Sequence, residues 1–470
     1  MEDIRRLRIA VVGSGMAGLV TAYLLQRDKK QRYAVTLFEE GNDFSLDAAS
    51  LSVPNRRGDG HERVDLPMRA FAGGFYQNLK AMYDHLQVPY HQKPFLFTFS
   101  KIVTQSDGAS KQNEAVPYFV HSSNNHRLPP IKPEGMSTIE HIFEILYLLV
   151  WYAWFTFCCF YVTPKPVAQG SECETFERYL QRIMLPSHFT NYYLLPLMSS
   201  VATCPHSAVL NFPARDIVDY KKKTHRAQHY AVSNGVGVVQ RRLARGLTSR
   251  MCARILEVKP LGPTIKISWM NTRPGVGTVT EETFDRVILA VAPNVVGSIY
   301  EPLRASMRFL PTLRVESMVR IGCQSRNVAT YSDKRYVGVA DRDSDEKGAQ
   351  MIHLRTTLGD DARTEAVEEK SYGARVITCP FTSIDAGEVV HASRFTRVLR
   401  TPKSRRILNE VFQNEGPNWY PGDEKRPYWK NGDQGVWLVG GWCWDGMVLL
   451  EGCVVSAMRV AKAFDVEVPW

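Results

Sequence analysis

The chain opens on a short apolar run, Leu7–Val12 (LRIAVV), of the kind that a strand buried on both faces requires. A cluster of small residues, Gly13-Ser14-Gly15-Met16-Ala17-Gly18, follows directly. Next come a helical stretch, LVTAYLLQRDKK, and a second strand-like run, YAVTLF, that ends at Glu39. The pattern predicts strand, tight turn, helix, strand and acid within about thirty residues. It then breaks off through a polar stretch and RVDLPMRAFAGGFYQNLKAMYDHLQV. Buried-strand character resumes only at 283–293 (TFDRVILAVAP) and at VWLVGG. The last segment, EGCVVSAMRVAKAF, predicts a helix with Val454, Ala457, Met458 and Ala461 on one face.

The expected fold class is therefore α/β. A Rossmann-like domain is assembled from discontinuous segments, about 1–100, 225–300 and 400–470, and an α+β substrate domain comes from 101–224 and 301–399. Residues 105–115 (QSDGASKQNEA) read as an exposed loop.

One apolar run stands apart. Ile145 to Thr163 carries no charge over nineteen positions and predicts a helix at about 139–163, long enough to cross a bilayer. A single crossing would put the two halves of the nucleotide domain on opposite sides of the membrane. Two readings remain: a helix resting in one leaflet as a peripheral, monotopic contact through 145–163, or a buried helix lining an apolar cavity. Either suits a hydrophobic partner.

The glycine cluster carries specific chemistry. Gly13 permits a tight turn, Gly15 lets the backbone approach a pyrophosphate, and Gly18 lets the helix pack on the strand. Ser14, Met16 and Ala17 lie at the helix N-terminus, where free N–H groups and the positive dipole end favour phosphate. Glu39, with Glu40 beside it, stands where a carboxylate accepts the ribose hydroxyls, which disfavours a 2′-phosphate.

At these positions the sequence resembles the flavin-containing amine oxidase and phytoene desaturase superfamily, its fungal-type members in particular. The matching positions are Gly13, Gly15, Gly18, Glu39, Arg69 within DLPMRAF, Ala290 to Pro293, and Gly440 through Ala461. The resemblance implies FAD as cofactor, with Arg69 beside the flavin and Val258 on the strand near the adenine. It places Ala290 in the middle turn, and Gly440, Gly441, Leu450 and Glu451 at the flavin's N1/O2 edge. Trp442, Trp444 and Met447 become candidates for a substrate pocket, or core residues. His229 to Leu247 is similar to the family's glycine turn and helix after the substrate domain. The chain departs from the family at Ser45-Leu46-Asp47-Ala48-Ala49-Ser50, where a GGR-type stretch is usual. No lysine is assigned beside the flavin. The implied activity is oxidation of a hydrophobic small molecule (polyene, polyketide or lipid) by hydride transfer to flavin. The alternatives are a redox-neutral double-bond isomerase and a non-catalytic FAD-binding protein at a membrane.

Composition narrows this little. The net charge of +10 is spread along the chain, with one compact run at Lys221-Lys222-Lys223, which argues against a nucleic-acid partner. The nine cysteines show no metal-ligand spacing, so no metal is expected, and free thiols suit a reducing compartment. The N-terminal MEDIRRLRIAVVGSG lacks a signal-peptide core, so a cytosolic location is expected, including the cytosolic face of an intracellular membrane.

Overall fold

The computed structural model describes residues 5–54, 60–107, 110–122, 132, 136–165, 173–320, 350–370, 374–381, 386–412 and 429–470. Strand β1 (Leu7–Val12) lies at the centre of a five-stranded parallel sheet. On one side it pairs with β2 (Tyr33–Phe38), which in turn pairs with Thr248–Arg250. On the other side it pairs with Arg286–Leu289, which pairs with Val436–Leu438. One sheet is thus drawn from four distant stretches of chain, the discontinuous Rossmann-like architecture expected of the sequence.

Both faces of β1 are covered, which is why the run is continuously apolar rather than alternating. Ile9 and Val11 face helix α1 (Met16–Gln26) and the terminal helix (Leu450–Ala463), packing with Leu19, Val20, Val454 and Ala457. Ala10 and Val12 face an antiparallel three-stranded sheet, Ala253–Leu261, Thr264–Asn271 and Val279–Phe284. Phe38, Ile267 and Phe284 fill that second layer.

The second domain is built on a seven-stranded sheet. Its order is Val389–Val398, Thr312–Arg320, Arg375–Thr378, Thr364–Glu369, Gln350–Thr356, Phe95–Asp107 and Ser110–Ser122. All neighbours are antiparallel except Gln350–Thr356 with Phe95–Asp107. The expected loop at 105–115 is instead the tip of a hairpin: Gln105 pairs with Gln112 and Asp107 with Ser110. A polar run looks like loop in a one-dimensional pattern even where its backbone pairs as strand. Cys323 lies outside the described residues.

Helix α2 (Gln77–His85) and helix α3 (Thr138–Tyr161) complete the elements that matter below. Helix α3 begins at a capping box: Ser137 Oγ accepts the Glu140 N–H at 3.1 Å, and Glu140 returns to the Ser137 N–H at 2.9 Å. The reading of this run as a buried, cavity-lining helix is overturned. Only Phe155, Cys158 and Cys159 of α3 are buried, and its other apolar stripe faces outward.

Candidate functional site

The site begins where β1 runs into α1. Gly13 has φ +99°, a conformation that side chains rarely adopt, and a Cβ there would lie 2.8 Å from the Ala290 carbonyl oxygen. A Cβ on Gly18 would lie 1.9 Å from the Gly13 carbonyl oxygen, so this glycine is what lets α1 close onto the strand. Gly15 differs. A Cβ there meets nothing nearer than Ser45 Oγ at 3.9 Å, so the protein itself leaves this space open. Helix α1 starts at Met16 beside that opening, with no side-chain cap on its first turn. Open space beside a free helix N-terminus is the fit that a pyrophosphate requires. Ala290, whose N–H donates to Val12 O at 2.8 Å, closes the back of the turn as expected.

Glu39 is buried at the same mouth. Its Oε2 accepts the Ser14 backbone N–H at 3.1 Å and the Ser14 hydroxyl, and its Oε1 accepts the Gly41 N–H at 2.9 Å. The Ser14 hydroxyl also accepts the Ser45 N–H at 2.8 Å. The segment that departs from the family pattern therefore folds back onto the glycine turn through Ser45. Glu40 points away, exposed and paired with Arg254 at 2.5 Å. Val258 is buried in the second apolar layer with Phe38 and Ile267. Its strand reaches the Glu39 loop through Cys252 and Ala253, whose N–H groups donate to Gly41 and Glu39 carbonyls, both at 2.8 Å. Glu40 is thus corrected to a surface ion pair, since adjacency in sequence to a site residue does not decide where a side chain points, while Val258 stays on a strand tied to the Glu39 loop.

The other wall comes from the C-terminal segment. The Gly440 N–H donates to Ser456 Oγ at 3.0 Å, and Gly441 lies against Leu449 O and Cys453 Sγ. Leu450 opens the terminal helix, again without a side-chain cap. The side chain of Glu451, in the first turn of that helix, is a brace. Its buried carboxylate accepts the Asn78 N–H at 3.0 Å, the Asn78 side-chain amide at 2.7 Å and the Leu79 N–H at 2.9 Å, capping α2. Cys453 Sγ faces the backbone N–H groups of Gly441 and Ala17, and burial pushes its thiol up to about 11. The two helix N-termini therefore converge on one place.

Arg69 lies beside it. Its guanidinium is enclosed, its Nε has no hydrogen-bond partner, and Leu46 O is 3.5 Å from Nη2. Burial pulls its pKa below the ordinary arginine range, opposed by the Asp65 carboxylate. Asp65 is in turn fixed by the Val236 N–H at 2.9 Å, next to Gly235 with φ +74°. Val236 precedes the helix Gly237–Ala244, so the segment similar to the family's glycine turn does anchor the site. A buried cation with an unsatisfied N–H is costly alone and suits an anionic or carbonyl-bearing cofactor edge.

Trp442 and Trp444 do not stand open to a cavity. The Trp442 indole donates to Val291 O at 3.2 Å and that of Trp444 to Met447 O at 2.9 Å, and all three of Trp442, Trp444 and Met447 are buried. Trp444 is one side of an aromatic cluster: Phe75 lies 5.7 Å from it edge-on, 4.9 Å from Tyr220 and 5.0 Å from Tyr76.

Sequence reasoning missed Arg397 and Arg400. Arg397 Nε donates to Ala202 O at 2.8 Å, and its field reaches Tyr76 and Cys453. Arg400 holds the 442–446 loop through the carbonyls of Trp442, Trp444 and Gly446 at 3.0–3.3 Å. The only signal was the repeated arginine of RFTRVLR.

The comparisons agree with this geometry. Residues 11–86 match the family model of the NAD(P)-binding Rossmann-like domain. No curated protein sequence matches the chain. Among solved structures, the chain is similar to a CLA-producing fatty acid isomerase from P. acnes (9% identity, TM-score 0.56, covering 97% of this chain and 99% of that one). It is also similar to putrescine oxidase bound to putrescine (12% identity, TM-score 0.58, covering 98% and 99%). The chain shares its fold with both of these enzymes over nearly its whole length. The matched domain is a dinucleotide-binding one, which agrees with the open space at Gly15 beside the start of α1.

Proposed function

We propose that the protein is an FAD-dependent oxidoreductase acting on a hydrophobic small molecule: a polyene, polyketide or lipid. The observation that carries this reading is the convergence of two uncapped helix N-termini, at Met16 and Leu450, on the half-buried Arg69, whose enclosed Nε has no hydrogen-bond partner. The Gly13–Gly18 turn with Ser14 and Ser45 would hold the pyrophosphate, Glu39 the ribose, and Arg69 with the Gly441–Leu450 segment the ring end. When bound, FAD supplies a two-electron acceptor for a hydride leaving a substrate C–H.

The chain's own part is electrostatic and positional. Arg69 and Arg397 place positive charge where negative charge develops, and the fixed N–H groups do the same without reorganising. The aromatic cluster of Phe75, Tyr76, Tyr220 and Trp444 supplies apolar contact and keeps water out. The cations around it disfavour a substrate ammonium, since Glu451 is already engaged with α2. Hence a neutral, greasy substrate is favoured over an amine. A second reading is a redox-neutral double-bond isomerase, favoured by the fatty acid isomerase with the same fold over nearly its whole length.

The test is the visible spectrum of the purified protein, with the released cofactor identified, followed by anaerobic mixing with polyenes and unsaturated fatty acids. Flavin bands that bleach on mixing support oxidation. Double-bond migration with pre-reduced flavin and no return of the oxidised bands supports the isomerase. A colourless protein that takes up no added FAD overturns both.

A further inference from the structure

We infer that α3 is a membrane-docking helix that lies flat on an anionic lipid surface. The helix has two apolar stripes where a surface helix of a globular protein has one. The inner stripe, Tyr147, Leu148, Trp151, Phe155, Cys158 and Cys159, packs into the body. The outer stripe includes Ile139, Phe143, Leu149 and Val150, which are 68%, 67%, 62% and 61% exposed. Phe157, Phe160 and Tyr161 extend it to the C-terminal end, and Met184 adds an exposed apolar side chain near Trp154, whose indole donates to Ile183 O at 2.8 Å. A continuous apolar face of this length marks an interaction surface.

Two observations choose lipid as the occupant. The first is charge. The helix Ala214–Thr224, which packs beside α3, carries Lys221, Lys222 and Lys223. The Lys221 ammonium lies 2.9 Å from the exposed Tyr152 hydroxyl and 4.5 Å above its ring, so cationic charge borders the apolar stripe. An apolar face edged by lysines and by aromatics with polar tips is the chemistry of an anionic bilayer interface. The second is orientation. Helix α3 is held to the body along its length: Glu144 bonds the Tyr193 hydroxyl, Tyr147 packs edge-on to His188 at 5.5 Å, and Phe160 packs against His225 at 5.6 Å. Its 24 residues would be long enough to span, but spanning would strip away these contacts. Lying flat keeps them and buries only the outer stripe. The inference stands on this stripe and not on the proposed chemistry.

The test is flotation of the full-length protein, carrying its cofactor, with vesicles of phosphatidylcholine alone or with phosphatidylserine added. Wild-type protein is expected to float with the anionic vesicles and to release as salt is raised. A Phe143→Glu/Leu149→Glu/Val150→Glu variant, whose changes are all at exposed positions and whose circular dichroism should match wild type, is expected to stay at the bottom. Lys221→Gln/Lys222→Gln is expected to lose roughly tenfold or more in partition to anionic vesicles. Wild-type protein that floats with neither vesicle, or a triple-glutamate variant that floats as wild type does, overturns the inference. So does a concentration-dependent dimer that the triple-glutamate change dissociates, since the stripe would then be a protein contact.

Discussion

Glu451, in the first turn of the terminal helix, accepts the backbone N–H of Leu79 at 2.9 Å, tying the C-terminal segment to α2 through a buried carboxylate. The same carboxylate takes both the backbone and side-chain N–H of Asn78. Removing it leaves buried donors without partners at a helix start. Glu451→Ala is expected to cost about 2–4 kcal/mol in chemical denaturation. Because Glu451 also lies in the first turn of the helix that Leu450 opens, FAD retention should fall in parallel. Unchanged stability would mean that the brace carries no load.

The two glycines of the turn separate packing from binding. Gly18→Ala forces a Cβ to within 1.9 Å of Gly13 O, so the strand and helix must part. A loss of about 3 kcal/mol or more is expected, with no FAD bound. Gly15→Ala places its methyl in open space, so the cofactor-free melting temperature should hardly move while FAD affinity drops at least about tenfold, or 1.4 kcal/mol. Thermal melts with and without FAD distinguish the two. Similar melts and similar FAD affinity for both variants would reject this division of roles.

Arg69 should behave in the opposite sense. Its enclosed guanidinium is poorly satisfied, so Arg69→Met is expected to leave the cofactor-free protein equally stable or up to about 2 kcal/mol more stable. The FAD-loaded protein should lose that advantage and bind FAD at least about tenfold more weakly. Denaturant midpoints measured with and without FAD give both quantities from one pair of variants.

His206 makes stability depend on pH. It is buried, with Nε2 at 2.9 Å from Thr364 Oγ1, and burial pushes it down to about 4. Between pH 6.5 and 4 the unfolded chain binds a proton here that the folded chain does not, so stability falls as pH falls through that window. The full contribution of this group is about 3 kcal/mol. Burial lowers His229 in the same direction. His206→Gln is expected to flatten the dependence in urea titrations at pH 7 and pH 4.5. An equal loss in wild type and variant would assign the effect elsewhere.

The glycine turn, Glu39 and the parallel strands were legible in the sequence because each rests on short-range sterics: a positive φ at Gly13 or a close approach at Gly18 needs glycine whatever else the chain does. The roles of Glu451 and Arg397 were not legible. They depend on partners at Leu79 and Ala202, hundreds of positions away, which no local spacing encodes. The seven-stranded sheet escaped for a related reason. Strands such as Val389–Val398 alternate between exposed and half-buried positions and carry little apolar contrast. The orientation of Trp442 and Trp444 likewise follows from carbonyls that only the folded loop presents.

The assembly of the parallel sheet from both ends of the chain fixes when the cofactor site can exist during synthesis. Tyr33 donates its hydroxyl hydrogen bond to Phe464 O across 431 residues, and Val436–Leu438 supplies an edge strand only long after the first strand has been made. At ribosomal rates the glycine turn waits roughly 20–90 s for the wall that completes its pocket. For most of that interval the outer apolar stripe of α3, which ends at Tyr161, has already been translated. A nascent chain would therefore meet a bilayer or a chaperone before it could hold its dinucleotide, which makes cofactor loading a late event that follows synthesis of the terminal helix.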